Sequence, residues 1–152
     1  MADLPTGTVT FLFTDIEGST ALWEREPVAM QAAAARHDAL IEGAVTEHGG
    51  VIVRPRGEGD SRFAVFARAS DAVAAALALQ WHLAAEPWPT SGPLRVRVAL
   101  LTGEAELRDG DYYGTAVNRC ARLRAVAHGG QSLLSRATAE LVLDTLDNIH
   151  SS

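Results

Sequence analysis

Three short stretches of this sequence carry residue types whose spacing suits phosphate and divalent cations. The first is FTDIEGST, residues 13–20, where Asp15 ends a β-branched and aromatic run and a turn with Gly18 leads to Ser19. A helix opening near Ser19 would present backbone N–H groups that no helical carbonyl takes up, and these suit phosphate oxygens. A carboxylate beside them can hold Mg²⁺ between itself and the phosphate. Asp15 could equally do no more than cap that helix. The second stretch is GEGD, residues 57–60. Carboxylates at the ends of neighbouring strands, here Asp15 and Asp60, can converge on a pair of metal ions. Taken alone, GEGD reads better as an ordinary acidic turn.

The third stretch is DGDYYGTAVNRCARLRA, residues 109–125. On a helical wheel Ala116, Cys120, Leu123 and Ala127 form one apolar stripe. Asn118 and Arg122 are four residues apart, so they sit side by side, nearly opposite that stripe. For an arginine a solvated face is the ordinary reading. Ala121 and Ala125 lie on the same side, however, and such small residues let another surface approach closely. The functional reading is that Asn118 and Arg122 face a substrate held by another subunit.

These residues need elements to position them. TVTFLFT, residues 8–14, predicts a buried strand. Ser19 to Glu26 predicts a short helix stopped by Pro27. Val28 to His48 carries Met30, Ala33, Ala34, His37, Ile41, Ala44 and Val45 at helical spacing and ends at Gly49-Gly50. Val51–Val53 and Phe63–Phe66 predict two strands of a hairpin. Ser70 is a natural N-cap for a helix to about Ala85, with Asp71 in its first turn. Leu94 to Leu101 predicts a strand, with Glu104 to Leu107 as a pairing partner. Thr115 to Ala127 predicts a helix, Gln131 to Leu134 a strand, and Ser135 caps a last helix through about Leu143. This order predicts a single α+β domain over residues 1–152, with helices on one face of a mainly antiparallel sheet.

Composition narrows the chemistry. The 152 residues are 47% apolar and 21% charged, an ordinary balance for a globular domain. The chain has no lysine: all 13 basic residues are arginine. Schiff-base and P-loop lysine mechanisms are thereby excluded for it. The net charge of −6 argues against broad binding to nucleic acid. No apolar run is long enough to span a membrane. Cys120 is the lone cysteine, so no intrachain disulfide forms, and a cytoplasmic location is expected. His37, His48, His82 and His128 lack metal-ligand spacing. Trp23, Trp81 and Trp88 read as core or interface fillers.

Four blocks, GTVTFLFTDIEGST, HGG followed by GEGD and a phenylalanine, RVRVALLTGE, and DYYGTAVNRCARL, stand in the order and rough spacing of class III adenylyl/guanylyl cyclases. The resemblance runs from about Gly7 to Ala139, and its last block is the most specific. It implies the ferredoxin-like cyclase catalytic fold and conversion of ATP to 3′,5′-cyclic AMP and pyrophosphate. It implies that Asp15 and Asp60 hold two Mg²⁺ or Mn²⁺ with the Ile16 carbonyl, and that the N–H groups of Glu17, Gly18 and Ser19 cradle phosphates. Arg97 matches a triphosphate-binding arginine. Asn118 would orient the ribose and Arg122 would stabilise charge on the α-phosphate. Asp111 matches the purine-reading aspartate, which can accept from the adenine 6-amino group but not from a guanine 6-oxo group. Arg56 falls where these cyclases often carry a purine-reading lysine. Family members work as head-to-tail dimers that share each site, so the partners implied are ATP and a second copy, with neither nucleic acid nor membrane.

The sequence also departs from the family pattern. The loop before Asp60 is about two residues longer than usual. Anchoring on HGG would put Arg54 and Glu58 in place of Arg56 and Asp60, whereas the second anchoring keeps the strand register to Phe66. Leu101 stands where a histidine is common. Family members continue into a further strand or hairpin with a basic triphosphate contact, while this sequence ends at DTLDNIHSS. Two competing readings follow. One is a weak or inactive cyclase-homology module that dimerises or binds nucleotide. The other is a haloacid-dehalogenase-like phosphatase built on DIEGS, which Glu17 and the absence of lysine oppose. GTP is a lesser rival substrate.

Overall fold

The computed structural model describes residues 4–53 and 60–151, with side chains placed through residue 144. Strand β1 (Thr8–Ile16) is the spine of the domain, and every residue from Val9 to Ile16 is buried. A strand buried without alternation needs cover on both of its faces. Leu12 and Ile16 join one apolar cluster with Met30, Ile41, Ala72 and Leu79. Val9, Phe11 and Phe13 join a second cluster with Tyr112, Val117 and Cys120. The expectation of helices on one face alone is therefore corrected.

The main sheet has the order β2 (Val51–Val53), β3 (Arg62–Phe66), β1, β4 (Val96–Glu104), β7 (Ser132–Leu134). β1 pairs antiparallel with β3 (Arg62–Phe66) and with β4 (Val96–Glu104). β2 (Val51–Val53) pairs antiparallel with β3, the expected hairpin. β7 (Ser132–Leu134) runs parallel to β4. Glu106–Arg108 (β5) does not return to β4 as expected but pairs with Asp111–Tyr113 (β6) in a separate ribbon. The cause is the turn between them. Asp109 and Gly110 both have positive φ, 53° and 77°, which is the backbone a two-residue hairpin loop requires and an Asp-Gly pair supplies.

Helix α1 (Ser19–Arg25) follows β1 directly, and α2 (Pro27–Glu47) starts on the proline itself. Pro27 has no N–H to lose at a helix start. Helix α3 (Ala69–Ala85) begins two residues earlier than expected, so the cap position falls on Arg68 instead of Ser70, without a side-chain cap bond. Helix α5 (Arg136–Ser151) runs past Leu143, and Ser135 does cap it, its Oγ accepting from the Thr138 N–H at 3.4 Å. A chain of hydroxyls ties α5 to the sheet. Thr10 and Thr102 meet across strands at 2.9 Å, and Thr102 meets Thr138 at 2.8 Å. Helix α4 (Thr115–Ala125) lies on the opposite face, with Val117 and Cys120 buried.

Candidate active site

Asp15 and Arg97 are direct register partners on β1 and β4. With side chains alternating along a strand, both point to the face covered by α4. They meet in a two-pronged fork: Arg97 Nε donates to Asp15 Oδ1 at 2.7 Å and Nη2 donates to Oδ2 at 2.6 Å. Charge-assisted forks of this kind are among the strong hydrogen bonds of proteins. The Asp15 carboxylate accordingly raises the pKa of Arg97 above its already high ordinary value.

A second guanidinium reaches the same carboxylate from α4. Arg124 Nε lies 3.5 Å from Asp15 Oδ2. Its Nη1 donates to Ser61 Oγ at 3.2 Å, and its guanidinium lies 5.0 Å from the Phe13 ring centroid. Arg124 was not singled out by the sequence patterns. The signal was present: position 124 is four residues beyond Cys120 and seven beyond Val117, so it shares their buried side of α4.

Asp60 arrives from the turn that leads into β3, the strand next door. Its Oδ2 accepts the Ile16 N–H at 3.0 Å, which fixes the second carboxylate at the end of β1. Asp15, Ile16, Asp60 and Arg97 then line one cavity of about 380 Å³ with Gly18 and Ser19. Gly18 sits in the left-handed region at φ 68° and turns the chain from β1 into α1. The first N–H groups of α1 have no helical acceptor. The Glu17 N–H is a correction to the expected phosphate cradle. It donates to the Arg95 carbonyl at 2.8 Å, extending the β1–β4 ladder, while the Glu17 carboxylate accepts from the Gly129 N–H at 2.7 Å.

The remaining predicted residues lie elsewhere. Asn118 and Arg122 are exposed on the outer side of α4. Arg122 borders a separate groove of about 450 Å³ with Leu101, Arg119, Ser135 and Arg136. Asp111 opens β6, half-buried, its Oδ1 accepting its neighbour's Tyr112 N–H at 2.7 Å. Arg56, with Arg54 and Glu58, lies outside the described residues.

The donor set at the cavity fits hard cations. Asp15, Asp60 and the backbone at Ile16 offer oxygen, and among the described residues no histidine or cysteine lines the space. Among the described residues no three His, Cys, Asp or Glu side chains group as a dedicated metal cage. Mg²⁺ is commonly held in this way, by one or two carboxylates with substrate phosphates completing the shell.

The family model of the adenylate and guanylate cyclase catalytic domain matches residues 1–150. An uncharacterized protein of Mycobacterium tuberculosis is 51% identical over 142 residues, covering 93% of this chain and 47% of its own length. This chain thus spans about half the length of that relative. An adenylate cyclase of Schizosaccharomyces pombe is 32% identical over 169 residues, covering 95% of this chain and 10% of the yeast protein. Among solved structures, an adenylate cyclase of Trypanosoma brucei in its monomeric state superposes with a TM-score of 0.83 at 32% identity, covering 90% of this chain and 77% of the other. The adenylyl cyclase CyaB of P. aeruginosa gives 0.79 at 25% identity, covering 94% and 84%. The chain belongs to the adenylate and guanylate cyclase catalytic domain family.

Proposed function

We propose that this domain converts ATP to 3′,5′-cyclic AMP and pyrophosphate, at sites shared by two copies arranged head to tail. The observation that carries this reading is a segregation. Asp15, Asp60 and Arg97 line one cavity, whereas Asn118 and Arg122 stand exposed on the outer side of α4 and outside that cavity's lining. A second copy that brings its α4 to the cavity would unite the two halves.

In this reading Asp15, the Ile16 carbonyl and Asp60 would hold two Mg²⁺ or Mn²⁺. Bound there, such cations supply acidity at the ribose 3′-hydroxyl and neutralise the leaving pyrophosphate. The chain's own groups bind and orient. The Gly18 and Ser19 N–H groups and Arg97 take the triphosphate. Asn118 of one copy orients the ribose held by the other, and its Arg122 faces the charge that develops on the α-phosphate. Asp111 accepts from the adenine 6-amino group. A cytoplasmic location fits the use of ATP, and no helix among the described residues is long and apolar enough to cross a membrane.

One observation favours a second reading. The Arg97 fork already covers both oxygens of Asp15, as would suit a module that binds nucleotide or dimerises without turnover. Incubating the purified chain with Mn²⁺ and either ATP or GTP, with Asp15→Ala as control, separates the two. The expected product is cyclic AMP from ATP, in excess of cyclic GMP from GTP, and absent in the control. Bound nucleotide without cyclic product would install the second reading. Arg122→Ala should cost on the order of 10³-fold in rate, as for other transition-state arginines.

A further inference from the structure

Asp15 meets two arginines whose surroundings differ, and the difference assigns them separate tasks. Arg97 lines the cavity, its side chain is 29% exposed, and both of its hydrogen bonds go to Asp15. Arg124 is outside the cavity lining and its side chain is 13% exposed. The contacts that hold it include the Asp15 carboxylate, the Ser61 hydroxyl and the Phe13 ring. An anion entering the cavity competes with one partner to win Arg97. To win Arg124 it would have to displace a hydrogen bond and a cation–π contact as well.

The charges give this asymmetry a consequence. Asp15 and Asp60 offer two negative charges at the end of β1, and Arg97 and Arg124 cancel them. A divalent cation approaching Asp15 meets oxygens already engaged, and both guanidiniums oppose its attraction to the two carboxylates and to Glu17, the further carboxylate that acts on Arg97. A polyphosphate that draws Arg97 toward itself bares Asp15 and adds negative charge of its own.

We propose that Arg97 and Arg124 form a latch on Asp15, with Arg97 the arm that opens to polyphosphate and Arg124 the positioning arm that stays. Divalent-cation binding at Asp15 is thereby conditional on the polyphosphate. The inference rests on the reading of Asp15 and Asp60 as cation holders and adds an order of binding to it. Arg97 opens by a side-chain movement alone, because the fork is a side-chain contact between paired strands. Arg124 keeps Asp15 aimed along the α4 face while Arg97 is away.

The test measures binding, not turnover. Mn²⁺ alone is titrated into the 152-residue chain and into Arg97→Met and Arg124→Met, with free Mn²⁺ followed by electron paramagnetic resonance. Each guanidinium is a positive charge within 3.5 Å of an Asp15 oxygen and repels an incoming cation. Removing either should therefore tighten Mn²⁺ binding about tenfold or more. Sodium tripolyphosphate is titrated separately in the presence of a chelator. Its affinity should fall at least about tenfold in Arg97→Met, which loses a hydrogen-bonding partner as well as a charge, and clearly less in Arg124→Met, which loses a charge alone. Thermal unfolding checks that each variant is folded. If Arg124→Met is not, Arg124→Gln removes the charge and keeps a donor for Ser61.

Equal Mn²⁺ affinity in the native chain and both folded arginine variants, with Asp15→Asn abolishing it, overturns the latch and leaves the cation reading standing. Tripolyphosphate binding lost equally in both variants also overturns it, because the arms would then be equivalent. No Mn²⁺ binding in any variant overturns the latch and the cation reading together.

Discussion

Asp15 has its place because of a register and not because of a loop. Its partner across the ladder is Arg97, and the pleat sends both to the α4 face. Asp15→Asn would keep the shape and remove the charge, leaving two guanidiniums facing an amide and each other. We expect a loss of about 1–3 kcal/mol in urea unfolding, nearer the lower figure because Arg97 stays partly solvated. An unchanged urea midpoint would mean that the fork holds the site without stabilising the fold. Cys120 offers a second test at this scale. Its thiol is buried against the Phe11 and Ala99 carbonyls, and burial pushes its pKa from 9.0 up to about 12. A thiol reagent at pH 8 should leave the native protein unlabelled and react only after unfolding. The raised value also sets a sign. Between pH 9 and 12 the folded chain keeps a proton that the unfolded chain gives up, so this group's contribution to stability is full below pH 9 and declines as pH rises through that window. Labelling of the native protein at pH 8, at the rate of a free thiol, would contradict this.

Among the elements, α4 sits where Gly103 lets it sit. A Cβ added at Gly103 would come within 2.9 Å of the Ala116 Cβ at the start of the helix. Gly103→Ala should destabilise by about 1–3 kcal/mol, the usual penalty for overpacking, read from chemical denaturation. It should also lower catalytic rate more than nucleotide affinity, because the helix it displaces carries Asn118 and Arg122. A variant with native stability would show that α4 has slack against β4. The same helix marks how far the sequence could be read. Its existence, its start at Thr115 and the exposure of Asn118 and Arg122 follow from spacing alone. Arg124 was legible only to a reader willing to place a charge on the buried side of the helix. The core strand was legible as a hydrophobic run, but a run without alternation does not say what covers each face, and α4 with the β5–β6 ribbon turned out to cover the second. The ribbon was encoded in Asp109-Gly110, a turn signal masked by its place inside a motif read for chemistry. The meeting of Asp15 with Arg97 depends on a register between segments more than 80 residues apart, which no local pattern carries.

At the scale of the whole molecule the question is whether one copy can complete the site. In the proposed reading the groups for cations and phosphate, Asp15, Asp60 and Arg97, sit at the end of β1, and those for the ribose and α-phosphate, Asn118 and Arg122, sit on the outer side of a helix that covers one face of the sheet. Two copies related by a twofold axis would build two equivalent sites, each drawing one half from each chain. Asp15→Ala and Arg122→Ala should then be inactive separately and active together. In an equal mixture that exchanges freely, about half the dimers are mixed, and each of these has one intact site of two. About a quarter of the native rate should return. Specific activity of the native chain should also fall on dilution, because in the proposed reading the competent species is the pair. The mixture is the sharper measurement, since dilution also weakens dimers that merely stabilise the fold. Recovery needs the intact halves of two differently damaged chains to face each other. If mixed dimers are present by native mass spectrometry and no rate returns, all the groups act within a single chain, and the exposed pair on α4 would need another explanation.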